Sequence, residues 1–267
     1  MNIKKYFFMA GMPRSGSTVL ASILNQHPFI YATPTSPLLD LLFLNDQHWN
    51  NNPSVVANRF PQQQVNIAKI IIRNCWAHRK EQIIIDKHRA WGKNLWAIQN
   101  IFEEDPKLIV TVRDVPSVIA SFFTLLRRSQ TTPTFIDKTL LKKNMRLNDE
   151  NRADCLWNDY IQDPWISFKM AWDQNKSALH LVQYDDLVNN KQQEIDKVYK
   201  FLKLPQFKHD FENIKNDTVD DDLLAWGIED LHTIRPSLNK TSKDPEEILG
   251  HAIFKKYHDM KLEFWNE

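Results

Sequence analysis

Gly11-Met12-Pro13-Arg14-Ser15-Gly16-Ser17-Thr18 lies between an apolar run, Tyr6–Ala10, and a helical pattern over Ser17–Gln26. A glycine turn at that junction restricts the local fold to strand, tight loop and helix. Loop glycines and the unpaired N–H groups at a helix start form a cradle for an anion, which the helix dipole also favours. The spacing is G-x-x-x-x-G-K-[ST], with Ser17 in the lysine position. A nucleoside triphosphatase uses that lysine on its β and γ phosphates, so this loop suits a terminal monophosphate better than a triphosphate chain. The alternative is a connector that happens to be rich in glycine and serine.

The rest of the chain repeats the alternation. The pattern predicts strands near Gln82–Ile85, Leu108–Val112 and Leu179–Gln183, and helices near Gln62–Lys80, Lys93–Phe102, Pro116–Arg128 and Lys191–Leu202. Strands separated by helices imply an α/β fold: a P-loop-like three-layer αβα arrangement about a mostly parallel sheet. The expected organisation is a single domain over 1–267, with insertions near 30–60 and 130–150 and a helical and loop extension over 204–267. In open α/β sheets the loops beyond the strand C-termini build the ligand crevice, so these insertions are expected to supply its walls.

A second anion site is expected at the third strand. Leu108–Val112 delivers Arg113 to a strand end, Asp114 and Pro116 suit the start of the next helix, and Ser121 follows about two turns on. Arginine and hydroxyl together fit a separate phosphate. A local Arg113–Asp114 pair with Ser121 as a packing residue is the competing reading.

These motifs resemble the sulfotransferase family, which uses 3′-phosphoadenosine 5′-phosphosulfate (PAPS). Met12 to Leu20, followed by Asn25-Gln26-His27-Pro28, is similar to that family's 5′-phosphosulfate loop, in the form of its tyrosylprotein and bacterial branches. Val112-Arg113-Asp114 with Ser121 is similar to its 3′-phosphate motif. Val182-Gln183-Tyr184-Asp185-Asp186-Leu187 looks like a later family segment, with Gln183 where arginine is usual. The resemblance implies PAPS as sulfuryl donor, no metal, and transfer to a hydroxyl or amine by in-line displacement. The donor-binding residues it implies are Pro13, Arg14, Ser15, Gly16, Ser17, Thr18, Arg113, Ser121 and Tyr184. Arg235, in the basic segment Arg235-Pro236-Ser237 with Lys240, is added as a pocket-closing residue, against the reading of a solvated loop.

Chemistry at the sulfur needs a cation on the leaving oxygen and a proton acceptor. Lys87, just after the second predicted strand, matches the family's post-strand lysine, with Arg14 sharing its task; a solvated turn lysine is the alternative. The family branch carries a glutamate after its His-Pro pair, whereas this chain reads Thr33-Pro34-Thr35-Ser36. His88 is then the expected base, with Asp86, Asp40 and His48 behind it. Trp91, Trp96 and Trp226 suit either an acceptor wall or the core, and the run Asp220-Asp221-Asp222 reads as a solvated turn or helix start.

Composition narrows the remaining classes. Thirty-four Lys+Arg against 33 Asp+Glu leave +1, which disfavours bulk nucleic acid or an anionic membrane as partner. No apolar run approaches the roughly 18 residues of a spanning helix, and two cysteines make no disulfide framework. A cytoplasmic protein is expected, with a small molecule, saccharide or peptide as acceptor. A P-loop kinase of a small metabolite, or a nucleotide-binding protein without turnover, are the competing functions.

Overall fold

The computed structural model describes residues 4–58, 60–102, 105–129, 133–215, 222–238 and 243–266, with backbone alone at Ala225 and Trp226. Five strands, β1 (Lys5–Gly11), β2 (Ile30–Ala32), β3 (Ile83–Lys87), β4 (Leu108–Val112) and β5 (Leu179–Gln183), form one sheet in the order β2-β3-β1-β4-β5. Every pairing is parallel. The central strand β1 is apolar along nearly its whole length because it is covered on both faces. Its period of two divides the side chains between two cores. Tyr6, Phe8 and Ala10 face one, and Phe7 and Met9 face the other. Full burial of side chains this size contributes roughly 1.5–3 kcal/mol each.

Helix α1 (Ser17–Leu24) packs on the second face through Leu20, Ile23 and Leu24. Between β2 and β3 run α2 (Leu38–Asn51), α3 (Pro53–Ala57) and α4 (Pro61–Cys75), and α5 (Leu95–Ile101) precedes β4. The crossover from β4 to β5 holds α6 (Val115–Arg128), α7 (Phe135–Lys142), α8 (Asp149–Leu156) and α9 (Gln162–Asn175), with a π-turn at Trp157–Ile161. Helices α2, α4, α5, α6 and α9 all contribute to the first core. After β5, α10 (Tyr184–Asn189) and α11 (Lys191–Leu202) return to the second face. The C-terminal part carries α12 (Asp222–Trp226), α13 (Pro245–Leu249) and α14 (His251–His258). This is the expected three-layer αβα architecture.

Two departures from the sequence reading stand out. The stretch expected as an irregular insertion near 30–60 contains β2, which is only three residues long, and the fourteen-residue α2. Strand β2 escaped notice because Ile30-Tyr31-Ala32 is too short to show a period. The segment over 149–175 reads as no element, yet it is almost wholly helical. Its helices bury aromatic residues such as Trp157 and Phe168 among charges, which blurs the apolar stripe.

The topology creates the crevice. Helix α1, after β1, lies on one face; α6, after the adjacent β4, lies on the other through Val118, Ile119 and Phe122. Loops that leave neighbouring strand ends toward opposite faces open a gap between them. The register aligns what borders that gap: Gly11 pairs with Thr111, Met9 with Lys87, and Val112 with Gln183.

Candidate functional site

The glycine loop is seated by close packing. A Cβ on Gly11 would stand 2.2 Å from Thr111 Oγ1, so β1 and β4 approach this closely only with glycine there. Ser15 is fully buried; its hydroxyl donates to the Met12 carbonyl at 2.6 Å and contacts Thr111 Oγ1 at 2.7 Å. It therefore locks the loop onto β4, and its side chain is not on the cleft wall. Gly16, at φ 89°, ends the loop and caps α1 without a side-chain bond. The first N–H groups of α1 are thereby left for another acceptor.

The second motif lies beside the first. Asp114 accepts the Ser117 N–H at 2.8 Å and caps α6, with Pro116 in the first turn as expected. Arg113 donates to the Arg14 carbonyl at 3.3 Å, and its guanidinium stacks 4.3 Å from the centre of the Tyr184 ring. That ring also presses on Gly16, where an added Cβ would meet Tyr184 Cδ2 at 2.9 Å. Tyr184 thus joins the two anion motifs. Arg14, at φ 59°, turns its side chain toward the second motif, donating to Ser121 Oγ at 3.1 Å and to the Leu231 carbonyl. Burial, with the charge of Arg113 second, lowers its pKa to about 10.

At the end of β3, Lys87 Nζ donates to Thr18 Oγ1 at 3.2 Å, which sets the ammonium against the start of α1. Its backbone N–H donates to the buried Thr33 hydroxyl at 2.8 Å. Arg89 follows on the same wall, and burial pushes its pKa down. His88 points elsewhere. Its Nδ1 accepts the Ala90 N–H at 3.1 Å, its Nε2 lies 3.3 Å from Asp40, and it is not on the cleft wall. Asp86 is fully buried, accepting Ser36 Oγ at 2.5 Å and the indole N–H groups of Trp76 and Trp91 at 3.0 Å each. Burial raises its pKa against those three donors. It is sealed from the cleft and is not on its wall. Trp91 is a core residue held by that carboxylate, whereas Trp96 is exposed and the Trp226 side chain lies outside the described residues.

The resulting cleft has a volume of about 350 Å³. Its wall carries Arg14, Lys87, Arg89 and Arg113 from the strand ends, Arg128 from α6, and Arg235 and Lys243 from the C-terminal part. Among the described residues, Asp230 is the one carboxylate on it. A chain of net charge +1 thus places seven cations against one anion in a single crevice. Such a lining takes a ligand of several negative charges.

A family pattern described as "Sulfotransferase family" matches residues 7–209, more than half of the chain. The chain belongs to the sulfotransferase family. A putative protein-tyrosine sulfotransferase of Caenorhabditis briggsae is 24% identical over 212 residues, covering 76% of this chain and 67% of that relative. Among solved structures, sulfotransferase STF9 from Mycobacterium avium superposes with a TM-score of 0.49 at 12% identity, over 78% of this chain. The chain covers 66% of that structure, just under two thirds. The sulfotransferase domain of the Synechococcus PCC 7002 olefin synthase gives 0.47 at 18% identity, over 97% of this chain and 95% of that one.

In this family member Pro13, Arg14, Gly16, Ser17, Thr18, Lys87, Arg113, Ser121, Tyr184 and Arg235 all meet on one wall, while Ser15 and His88 do not. Lys240, Asp220 and Asp221 lie outside the described residues. Asp222 corrects the reading of a solvated acidic run: it opens α12 but is 7% exposed and bound to His232. Sequence reasoning missed Arg89, Arg128, His232 and Lys243. Arg128 was within reach, since it stands seven residues after Ser121 on the same helix, two turns along one face. Nothing in the sequence marks Lys243. No helix among the described residues is long and apolar enough to cross a membrane, and none of their His, Cys, Asp and Glu side chains form a group of three fit for a metal.

Proposed function

We propose that the protein transfers the sulfuryl group of PAPS to a hydroxyl or amine acceptor by in-line displacement. The observation that carries this reading is the pair of anion sites at adjacent strand ends, bridged by Tyr184 in a cleft of seven cations. PAPS bears two separate anionic groups on one nucleoside, and two separate sites match it. Arg113 and Ser121, with Arg14 turned toward them, suit the 3′-phosphate. The first N–H groups of α1, with Ser17, Thr18 and Lys87, suit the 5′-phosphosulfate. Tyr184 suits the nucleoside between them, and Arg235 the open side.

In this scheme Lys87 and the α1 amides neutralise the charge that grows on the bridging oxygen as its bond to sulfur breaks. They are fixed before reaction, by Thr18, Thr33 and the seated loop, so little reorganisation opposes the step. The test is a thermal shift. Adenosine 3′,5′-bisphosphate should raise the melting temperature of the wild type, and ATP-Mg should do so weakly. Arg113→Ala should lose the shift while keeping the unliganded melting temperature; equal stabilisation by ATP-Mg would reject the reading.

A further inference from the structure

We propose that Gln26, just past the end of α1, is a positioning residue for the donor site: it holds segment 207–214, and that segment holds the Arg235 wall of the cleft. The proposal rests on the reading above, in which Arg235 closes the open side of the donor nucleotide. Arg235, Ser237 and Leu238 line the cleft, yet they belong to no helix or strand. A wall of irregular chain is only as well placed as the groups that support it.

Segment 207–214 supplies that support. Two backbone bonds join the two stretches in opposite directions. The Ile214 N–H donates to the Pro236 carbonyl at 2.7 Å, and the Leu238 N–H donates to the Phe211 carbonyl at 3.3 Å. The bonded residues Pro236 and Leu238 bracket Ser237 and leave Arg235 one residue away. Ile214 and Leu238 are both buried in the second core, where Phe211 and Ile234 also pack.

The segment is itself irregular, and two glutamine side chains act on it as a neighbouring strand would. Gln26 donates through Nε2 to the Asp210 carbonyl at 2.7 Å and accepts the Asp210 N–H on Oε1 at 2.8 Å. Gln192, on α11, donates to the Phe207 carbonyl at 3.1 Å and accepts the His209 N–H at 3.3 Å. A primary amide meets a backbone donor and a backbone acceptor at once, so each clasp fixes the segment along its length as well as against the core.

Helix α1 therefore serves the cleft at both ends. Its start carries Ser17 and Thr18 on the wall, and Gln26, two residues past its last turn, fixes the segment under Arg235. The Gln26 clasp is exposed, so without it the Asp210 backbone groups turn to water and the core beneath stays packed. The Arg235 wall is then correctly placed only part of the time, and affinity for the nucleotide falls by that fraction.

The experiment is a double-mutant cycle on the full chain, read as calorimetric affinity for adenosine 3′,5′-bisphosphate. Gln26→Ala should weaken binding about fivefold, and Arg235→Ala about tenfold or more. The double variant should bind within about twofold of Arg235→Ala alone, because the clasp acts through that wall. Gln26→Met, which keeps the length of the side chain and loses its amide, should behave as Gln26→Ala does. Unchanged affinity in both Gln26 variants, or losses that multiply in the double variant, overturns the proposal, since a clasp that only holds the fold together would give one or the other. A wild type that binds the bisphosphate with Arg235→Ala unchanged overturns the route through Arg235. A wild type that fails to bind the bisphosphate overturns the donor site itself.

Discussion

Gly16 is the residue at which the glycine loop meets the Tyr184 ring that Arg113 stacks on. Its φ of 89° disfavours any side chain, and the Tyr184 ring fills the space a Cβ would need. Gly16→Ala should push that ring, and Arg113 stacked on it, out of place. The expected outcome is a folded protein whose calorimetric affinity for adenosine 3′,5′-bisphosphate is at least tenfold weaker, corresponding to about 1.4 kcal/mol. Lys87 acts on the other side of the loop. If it neutralises the leaving oxygen, Lys87→Met should lower kcat by about a hundredfold or more. Affinity for the bisphosphate should change much less, because that product lacks the sulfuryl group. A fall in affinity as large as the fall in kcat would make Lys87 a binding residue only.

At the scale of elements, Asp86 ties four segments together. Its carboxylate sits in β3 and accepts from Ser36 ahead of α2, from Trp76 at the end of α4, and from Trp91 ahead of α5. Asp86→Ala strands three buried donors and should cost about 3–5 kcal/mol in denaturant unfolding. On the opposite face, β5 carries the half-buried His180, and the buried His209, after α11, lies 3.1 Å from the Tyr199 hydroxyl. Burial lowers His209 from 6.5 to about 4, and burial also lowers His180. Each has one ring nitrogen without a hydrogen-bond partner among the described residues. Both prefer the neutral form when folded, so the unfolded chain binds more protons below pH 6.5. Stability should therefore decline as pH falls from about 6.5 toward 4, with His209 contributing about 2–3 kcal/mol to that decline. Chemical unfolding at pH 7 and pH 5 should show a smaller difference in His209→Phe than in the wild type.

The whole molecule concentrates its basic residues. Seven cations converge on one cleft while the total charge is +1, so the field in the cleft is strong and the surface elsewhere is slightly acidic. Affinity for adenosine 3′,5′-bisphosphate should fall steeply as salt rises, and less steeply in Arg128→Ala or Lys243→Ala. Titration calorimetry at low and high ionic strength would measure both slopes.

Sequence alone determined the parts whose physics is local. The glycine loop between strand and helix, Arg113 at a strand end, the Asp114 cap and the covered sheet all follow from short-range spacing and period. The family resemblance singled out Tyr184, Arg14 and Lys87, all three of which line the cleft. Tertiary structure decided where those groups aim and which others join them. Ser15 has the same local pattern as Ser17, yet close packing of β1 on β4 buries one and leaves the other on the wall. His88 follows Lys87 directly, but one step along an extended chain reverses the side-chain direction. His232 comes from a loop 145 residues beyond Lys87. Only the path of the folded chain brings it to the same crevice, and no spacing in a sequence encodes that approach.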